Sequence, residues 1–174
     1  MTSTKSGNVQ CPIFEDMTLE EREHLLALFD HERYSAGETI LREGRSIQIL
    51  WIIVSGRCEV VKNTNGQERI LAVLEQGAVF GEMSFFHPAP HSASVRAMTD
   101  VNVMRLSRER YDELLAREPA AAYRVAANTA SVQAERLRKM DDWMCDLLDG
   151  PDCNARQREE WHEFRAKLYS EWDF

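Results

Sequence analysis

The chain has 174 residues, of which 44% are hydrophobic and 29% are charged, as is usual for a globular protein with one packed core. Its formal net charge of −8 disfavours direct binding to nucleic acid, because no sequence-wide positive field attracts phosphates. The longest apolar run, residues 49–54, is far shorter than the ~20 residues of a membrane span, and the N-terminus does not resemble a signal peptide. We therefore expect a cytoplasmic protein that is not inserted in a membrane.

The first part of the chain predicts one helix followed by a β domain. Residues 1–10 are expected to form a flexible tail, and a helix is expected over residues 18–30, where Thr18 and Glu21 form a capping box. Short apolar segments then alternate with glycine-containing turns over residues 33–106. This texture is typical of an antiparallel sandwich or barrel.

Two local patterns define strands inside the β domain. The Asn65-Gly66 pair predicts a tight hairpin turn, because these residues accept the positive φ that such turns require. Ala93, Val95 and Ala97 alternate with polar residues, which predicts a strand with one buried face.

The region 107–149 is predicted to be helical. Ser107 is a candidate N-cap for a first helix, and Pro119 is placed to open a second, long helix that ends before Gly150. Residues that are apolar or small, with the one exception of Gln133, recur along this long helix at alternating steps of three and four, which is the spacing of a coiled coil. These positions are Tyr123, Ala126, Ala130, Gln133, Leu137, Met140, Met144 and Leu147. We expect a homodimer through helix 120–148, and the alternative is that the seam packs on the protein's own barrel.

The last segment, residues 150–174, is expected to be a helical tail. Trp161, Phe164, Leu168 and Trp172 form an apolar stripe at helical spacing. Such a stripe usually packs against the same protein or a partner subunit. The alternative is that the tail 155–172 docks a different protein.

The segment 79–97 carries the chemistry. Gly81 lets the backbone approach a ligand, and residues 82–86 can form one helical turn whose N–H groups attract an anion such as phosphate. Glu82 can accept hydrogen bonds from a neutral donor such as a sugar hydroxyl. The next strand begins with His91 and Ser92, which add a potential cation and a hydroxyl.

Residues 81–86 and 92–97 resemble the phosphate-binding cassette of cyclic-nucleotide-binding domains, and the resemblance extends from about Ile13 to Asp149. It implies a mainly β fold, an eight-stranded jelly roll (double-stranded β-helix) with flanking helices and a long C-terminal dimerisation helix. Sensor domains of the catabolite-activator type have this architecture. Their C-terminal DNA-binding domain is not expected here, because the residues after Gly150 are few and acidic on balance.

The resemblance also implies a ligand site for a cyclic nucleotide. The first-turn amides would hold the cyclic phosphate, Glu82 would accept from the ribose 2′-hydroxyl, and Ser92 would donate to phosphate. The implied ligand-binding residues are Gly81, Glu82, Met83, Ser84, His91, Ser92, Ala93 and Arg136. The family has arginine where this chain has His91, so binding should be weakened rather than abolished, because a guanidinium has a permanent charge and two parallel donors.

Three functions remain open from the sequence. The first is a sensor of cyclic AMP or cyclic GMP that transmits binding through the long helix, and the second is a ligand-free dimeric interaction module. The third is a cupin-type metal enzyme with Glu82, His87 and His91 as ligands, although the usual His-x-His pair is missing. We expect no catalysis, no cofactor and no metal, and we expect the four cysteines to be reduced packing thiols.

Overall fold

The structure, a computed structural model, describes residues 10–149 and 154–170. These residues divide into two compact units, residues 10–129 and residues 130–170 without the undescribed segment 150–153. Most of the predicted flexible tail 1–10 lies outside the described residues, as do Gly150, Cys153 and Trp172.

The first unit contains eight strands that form two four-stranded antiparallel sheets. The strands are β1 (Asp30–Tyr34), β2 (Thr39–Leu41), β3 (Ile49–Ser55), β4 (Cys58–Thr64), β5 (Gln67–Leu74), β6 (Val79–Phe80), β7 (Ser94–Ala97) and β8 (Val101–Ser107). One sheet has the order β1-β8-β3-β6 and the other has the order β2-β7-β4-β5. The predicted eight-stranded jelly roll is therefore confirmed.

Residues 49–54 of strand β3 are all apolar because both faces of the strand are buried. Leu50 and Ile52 belong to a core cluster shared with the flanking helices, whereas Trp51 and Ile53 belong to a second cluster between the two sheets. Because successive side chains of a strand point to opposite faces, a strand buried on both faces must be apolar at every position. The second cluster is the interior of the jelly roll.

The two local predictions inside the β domain are confirmed. Asn65 and Gly66 have φ values of 55° and 80° and join β4 to β5, which pair in antiparallel register. Ala93, Val95 and Ala97 are buried, whereas the residues between them are half-buried. The hairpin turn and the inner face of β7 are thus set by local sequence.

The N-terminal helix is shorter than predicted. Helix α1 spans Leu19–Ala27 and has the predicted Thr18–Glu21 capping box, but Asp30 already begins β1 rather than ending the helix. The reason is a long-range contact: β1 pairs with β8, and Arg105 of β8 lies 2.9 Å from Glu32 and 3.7 Å from Asp30. A charged segment without apolar alternation gives no local signal for this pairing.

The remaining helices follow the predicted order. They are α2 (Glu82–Phe86), α3 (Arg108–Arg117), α4 (Pro119–Asp149) and α5 (Ala155–Ser170), after a 3-10 helix at Pro12–Phe14. Ser107 caps α3 by accepting from the N–H of Arg110, and Pro119 opens α4. No described helix combines the length and the apolar character that a membrane crossing requires.

Candidate functional site

Gly81 fixes the start of α2 against β3. It has a φ of +78°, and a Cβ at this position would lie 2.6 Å from the Trp51 ring and 2.7 Å from the Ile49 carbonyl oxygen. The N–H of Phe85 donates to the Gly81 carbonyl at 3.1 Å and makes the first intrahelical bond. The N–H groups before it have no acceptor within the helix, so the start of α2 presents backbone donors.

Three buried polar side chains lie next to this helix start. Glu82, Ser84 and His91 are 6%, 3% and 6% exposed, and the Ser84 hydroxyl lies 2.9 Å from His91 Nδ1. Burial lowers the pKa of His91 and is the largest effect, while the negative charge of Glu82 partly opposes it. The His91 imidazole is therefore neutral at pH 7 before any ligand binds, since its ordinary pKa is already near ~6.5.

Trp51 and His91 both leave a buried nitrogen unpaired. Their ring centroids are 6.3 Å apart, and Trp51 stacks on Phe80 inside the barrel. Within the described part of the chain, Trp51 Nε1 and His91 Nε2 are buried and have no hydrogen-bond partner. An unsatisfied buried polar group costs about 1–3 kcal/mol, so two of them in one place favour an occupant that carries polar atoms.

The segment 91–93 enters β7 beside this cluster. The His91 backbone is fixed by two bonds, since its N–H donates to the Arg45 carbonyl and its carbonyl accepts from the Gly44 N–H. Ser92 is exposed and Ala93 is buried. The Ser92 carbonyl accepts a hydrogen bond of 2.7 Å from Lys62 Nζ, so a cation lies at the same segment.

The structure brings some predicted residues together and leaves others apart. Glu82, Ser84 and His91 form one buried group, whereas the Met83 side chain is 62% exposed and can contribute only its backbone to a buried ligand. Arg136 is half-buried on α4 in the second unit, and its role toward a purine stays a prediction. His87 is exposed.

A metal centre is not assembled from these residues. In the parts of the chain that the structure describes, no group of three or more histidine, cysteine, aspartate or glutamate side chains could hold a metal ion. Glu82, His87 and His91 therefore do not come together as a ligand set.

Sequence reasoning missed Trp51 and Lys62. Trp51 was visible only as part of an apolar run, although an indole has a polar N–H that needs a partner when it is buried. Lys62 gave no signal at all, because its proximity to Ser92 arises from the pairing of β4 with β7.

Comparison with known proteins identifies the family. The family model described as cyclic nucleotide-binding domain matches residues 31–118, about half of the chain, and this segment contains both sheets apart from the first residue of β1. The chain belongs to the cyclic nucleotide-binding domain family.

The chain is similar to two curated proteins and one solved structure whose names refer to cyclic nucleotides. The cyclic AMP receptor protein of Thermus thermophilus is 36% identical over 75% of this chain and 59% of its own length. A cAMP-dependent protein kinase regulatory subunit of Mycosarcoma maydis is 33% identical over 55% of this chain and 18% of its own length. A cyclic nucleotide-binding domain from Methylobacillus flagellatus, known from a crystal structure, has a TM-score of 0.73 and 27% identity over 80% of this chain and 79% of its own. The matched part of the chain thus covers less than two thirds of the length of each of the two curated relatives.

Proposed function

We propose that this protein is a regulatory module that binds a cyclic nucleotide, cyclic AMP or cyclic GMP, inside the jelly roll. The observation that carries the proposal is the arrangement at Gly81, where the backbone donors of α2 start beside the buried Glu82 and His91. Backbone donors suit a cyclic phosphate and a carboxylate suits sugar hydroxyls. Family membership supports the same ligand class.

Each residue of the cassette has a proposed role in binding. The amides of Met83 and Ser84 face a phosphate at the helix start, and Glu82 accepts from the ribose 2′-hydroxyl. The exposed Ser92 hydroxyl and the Ala93 amide approach the phosphate from the β7 side. In this proposal Arg136 stacks on the purine.

Isothermal titration calorimetry with cyclic AMP and cyclic GMP tests the proposal. We expect weak binding to the wild type and tighter binding to His91→Arg, because a charge-assisted hydrogen bond of about 1.5–3 kcal/mol corresponds to roughly ten- to a hundred-and-fifty-fold in affinity. His87→Arg is the matched control, since it adds the same charge at an exposed position nearby and should leave the affinity unchanged.

A different result would favour the ligand-free interaction module. If folded wild type and His91→Arg both show no binding at millimolar concentrations of either nucleotide, the sensor proposal is wrong. The dimeric scaffold would then be the function that the remaining observations support.

We further propose that the protein is a homodimer through helix 120–148. Val125 is buried in the core of the first unit, so the part of α4 that belongs to this unit packs on the core with a face other than the seam. The coiled-coil positions Tyr123, Leu137, Met140 and Leu147 are exposed, and such a seam suits a second copy of the same helix. A ligand would act through this helix only by its different affinity for two arrangements of it.

Light scattering coupled to gel filtration tests the dimer. Leu137→Glu places a charge in the seam and should give a monomer, whereas Lys139→Glu changes an exposed residue outside the seam and should remain a dimer. A monomeric wild type, or a Leu137→Glu variant with unchanged mass, would contradict the proposed interface.

The tail 155–172 is proposed to bind a protein partner. Phe164 is exposed on α5, and Trp161 contacts it with ring centroids 5.6 Å apart. Arg158 Nε donates to the Leu148 carbonyl at 2.7 Å, which ties the start of α5 to the end of α4. A movement of α4 would therefore also move the start of α5 and transmit ligand binding to a partner bound at the tail.

A further inference from the structure

The phosphate of a cyclic nucleotide carries a permanent negative charge, and the chain has histidine at position 91, where the resemblance implies an arginine. His91, which occupies that position, is buried and hydrogen-bonded to Ser84. Burial holds the pKa of His91 below its ordinary value, so the imidazole contributes hydrogen-bonding capacity but no positive charge at pH 7. A second source of charge is needed if the ligand is to be bound as a phosphate diester.

Lys62 is placed to supply that charge. Its Nζ donates to the carbonyl of Ser92 at 2.7 Å, and Ser92 is the residue that directly follows His91. Val61 pairs with Ser94 across β4 and β7, so continuing the register places Lys62 opposite Ala93. The lysine therefore flanks the two residues whose amide and hydroxyl are proposed to face the phosphate.

The contacts of Lys62 leave its charge only weakly compensated. Its hydrogen-bond acceptor is a neutral carbonyl, and Glu43 Oε1 lies 3.8 Å from Nζ, which is long for a charge-assisted bond. The other Glu43 oxygen accepts from the Asn63 N–H at 3.0 Å, which holds the carboxylate on the β4 backbone. The ammonium sits on a flexible four-carbon stem and its side chain is 42% exposed, so it can move toward an incoming anion.

We propose that Lys62 binds the phosphate of the ligand and takes the electrostatic part of the role that arginine has in the family. This inference rests on the proposed function and deepens it, because it names the residue that makes the site selective for an anion. Judged from position 91 alone, the site would have no cation for the phosphate, because histidine stands where the resemblance implies arginine. In the fold, the cation comes from the neighbouring strand.

Calorimetry with cyclic AMP on a double-mutant cycle tests the inference. We expect Lys62→Gln to lower the affinity about tenfold or more and Lys62→Arg to retain most of it. In the His91→Arg background, the loss on Lys62→Gln should become much smaller, because the new guanidinium already supplies the charge. Lys139→Gln on α4 is the control and should bind as wild type does.

The outcomes separate this inference from the proposed function. If the wild type binds cyclic AMP and Lys62→Gln binds equally well, the inference is wrong while the proposed function stands. If Lys62→Gln loses the same factor with histidine and with arginine at position 91, Lys62 acts only by supporting the fold of the segment, and the inference is again wrong. If His91→Arg binds cyclic AMP and the folded wild type does not, the inference is wrong, because Lys62 then supplies no effective charge. If neither protein binds cyclic AMP or cyclic GMP at millimolar concentrations, the proposed function fails and the inference fails with it.

Discussion

Replacing Gly81 with alanine should be unusually costly, because two separate effects coincide there. A non-glycine residue in the left-handed region costs roughly 1–2 kcal/mol. The added Cβ would also lie 2.6 Å from the Trp51 ring and 2.7 Å from the Ile49 carbonyl oxygen, both closer than van der Waals contact, and overpacking of this kind typically costs about 1–3 kcal/mol. The sum predicts a loss of about 2–5 kcal/mol in the free energy of unfolding.

Gly66→Ala provides a matched control for the first effect alone. Gly66 has a φ of +80°, close to the +78° of Gly81, and a Cβ there would meet nothing within 4 Å. Urea unfolding followed by circular dichroism should therefore show Gly81→Ala to be less stable than Gly66→Ala by about 1–3 kcal/mol. Gly81→Ala should also weaken cyclic AMP binding, because the strain is relieved by moving the start of α2. Equal losses of stability in the two variants would refute the close-packing argument.

Three further predictions follow from individual side chains. The lowered pKa of His91 means that the folded state resists protonation of this side chain. The neutral imidazole therefore contributes to stability above about pH 6.5, and this contribution is lost as the pH falls below that value. The free energies of unfolding of wild type and His91→Gln should diverge over this pH range, and parallel profiles would contradict the prediction. Burial raises the pKa values of Cys11 and Cys58 to about 11. Both thiols should therefore react with a disulfide reagent at pH 7.5 far more slowly than the half-buried Cys145. Labelling of Cys58 as fast as that of Cys145 would contradict this prediction. Saturating cyclic AMP should shift the NMR resonance of the Trp51 indole N–H, which is assigned by the absence of this resonance in Trp51→Phe. An unchanged resonance would show that the ligand leaves the Trp51 nitrogen unpaired.

The features that sequence could predict are those set by neighbouring residues. The Thr18–Glu21 capping box, the Asn65-Gly66 turn and the start of α4 at Pro119 each depend on a few consecutive positions, and all three are present. The resemblance added the fold class, because glycines at several turns between residues 37 and 81 match the family as well as the segment 81–97.

The features that sequence could not predict depend on contacts between distant segments. Asp30 leaves the helix because β8 offers it a pairing partner, and Lys62 reaches Ser92 across two adjacent strands. The resemblance implies an arginine at position 91, but only the structure shows that the imidazole of His91 is buried and bonded to Ser84. Burial decides whether the residue acts as a cation, and burial is a property of the whole fold.

The proposed division of an arginine's role between His91 and Lys62 should change how binding responds to salt. An arginine at position 91 would place its charge where His91 is now, in a buried environment, whereas the ammonium of Lys62 is partly exposed. Charges near solvent are screened over a distance of about 8 Å at physiological ionic strength, and buried pairs are screened much less. Raising the salt concentration should therefore weaken cyclic AMP binding more in the wild type than in His91→Arg, as measured by calorimetry at low and high sodium chloride. An equal salt dependence in the two proteins would contradict the assignment of the wild-type cation to the partly exposed Lys62.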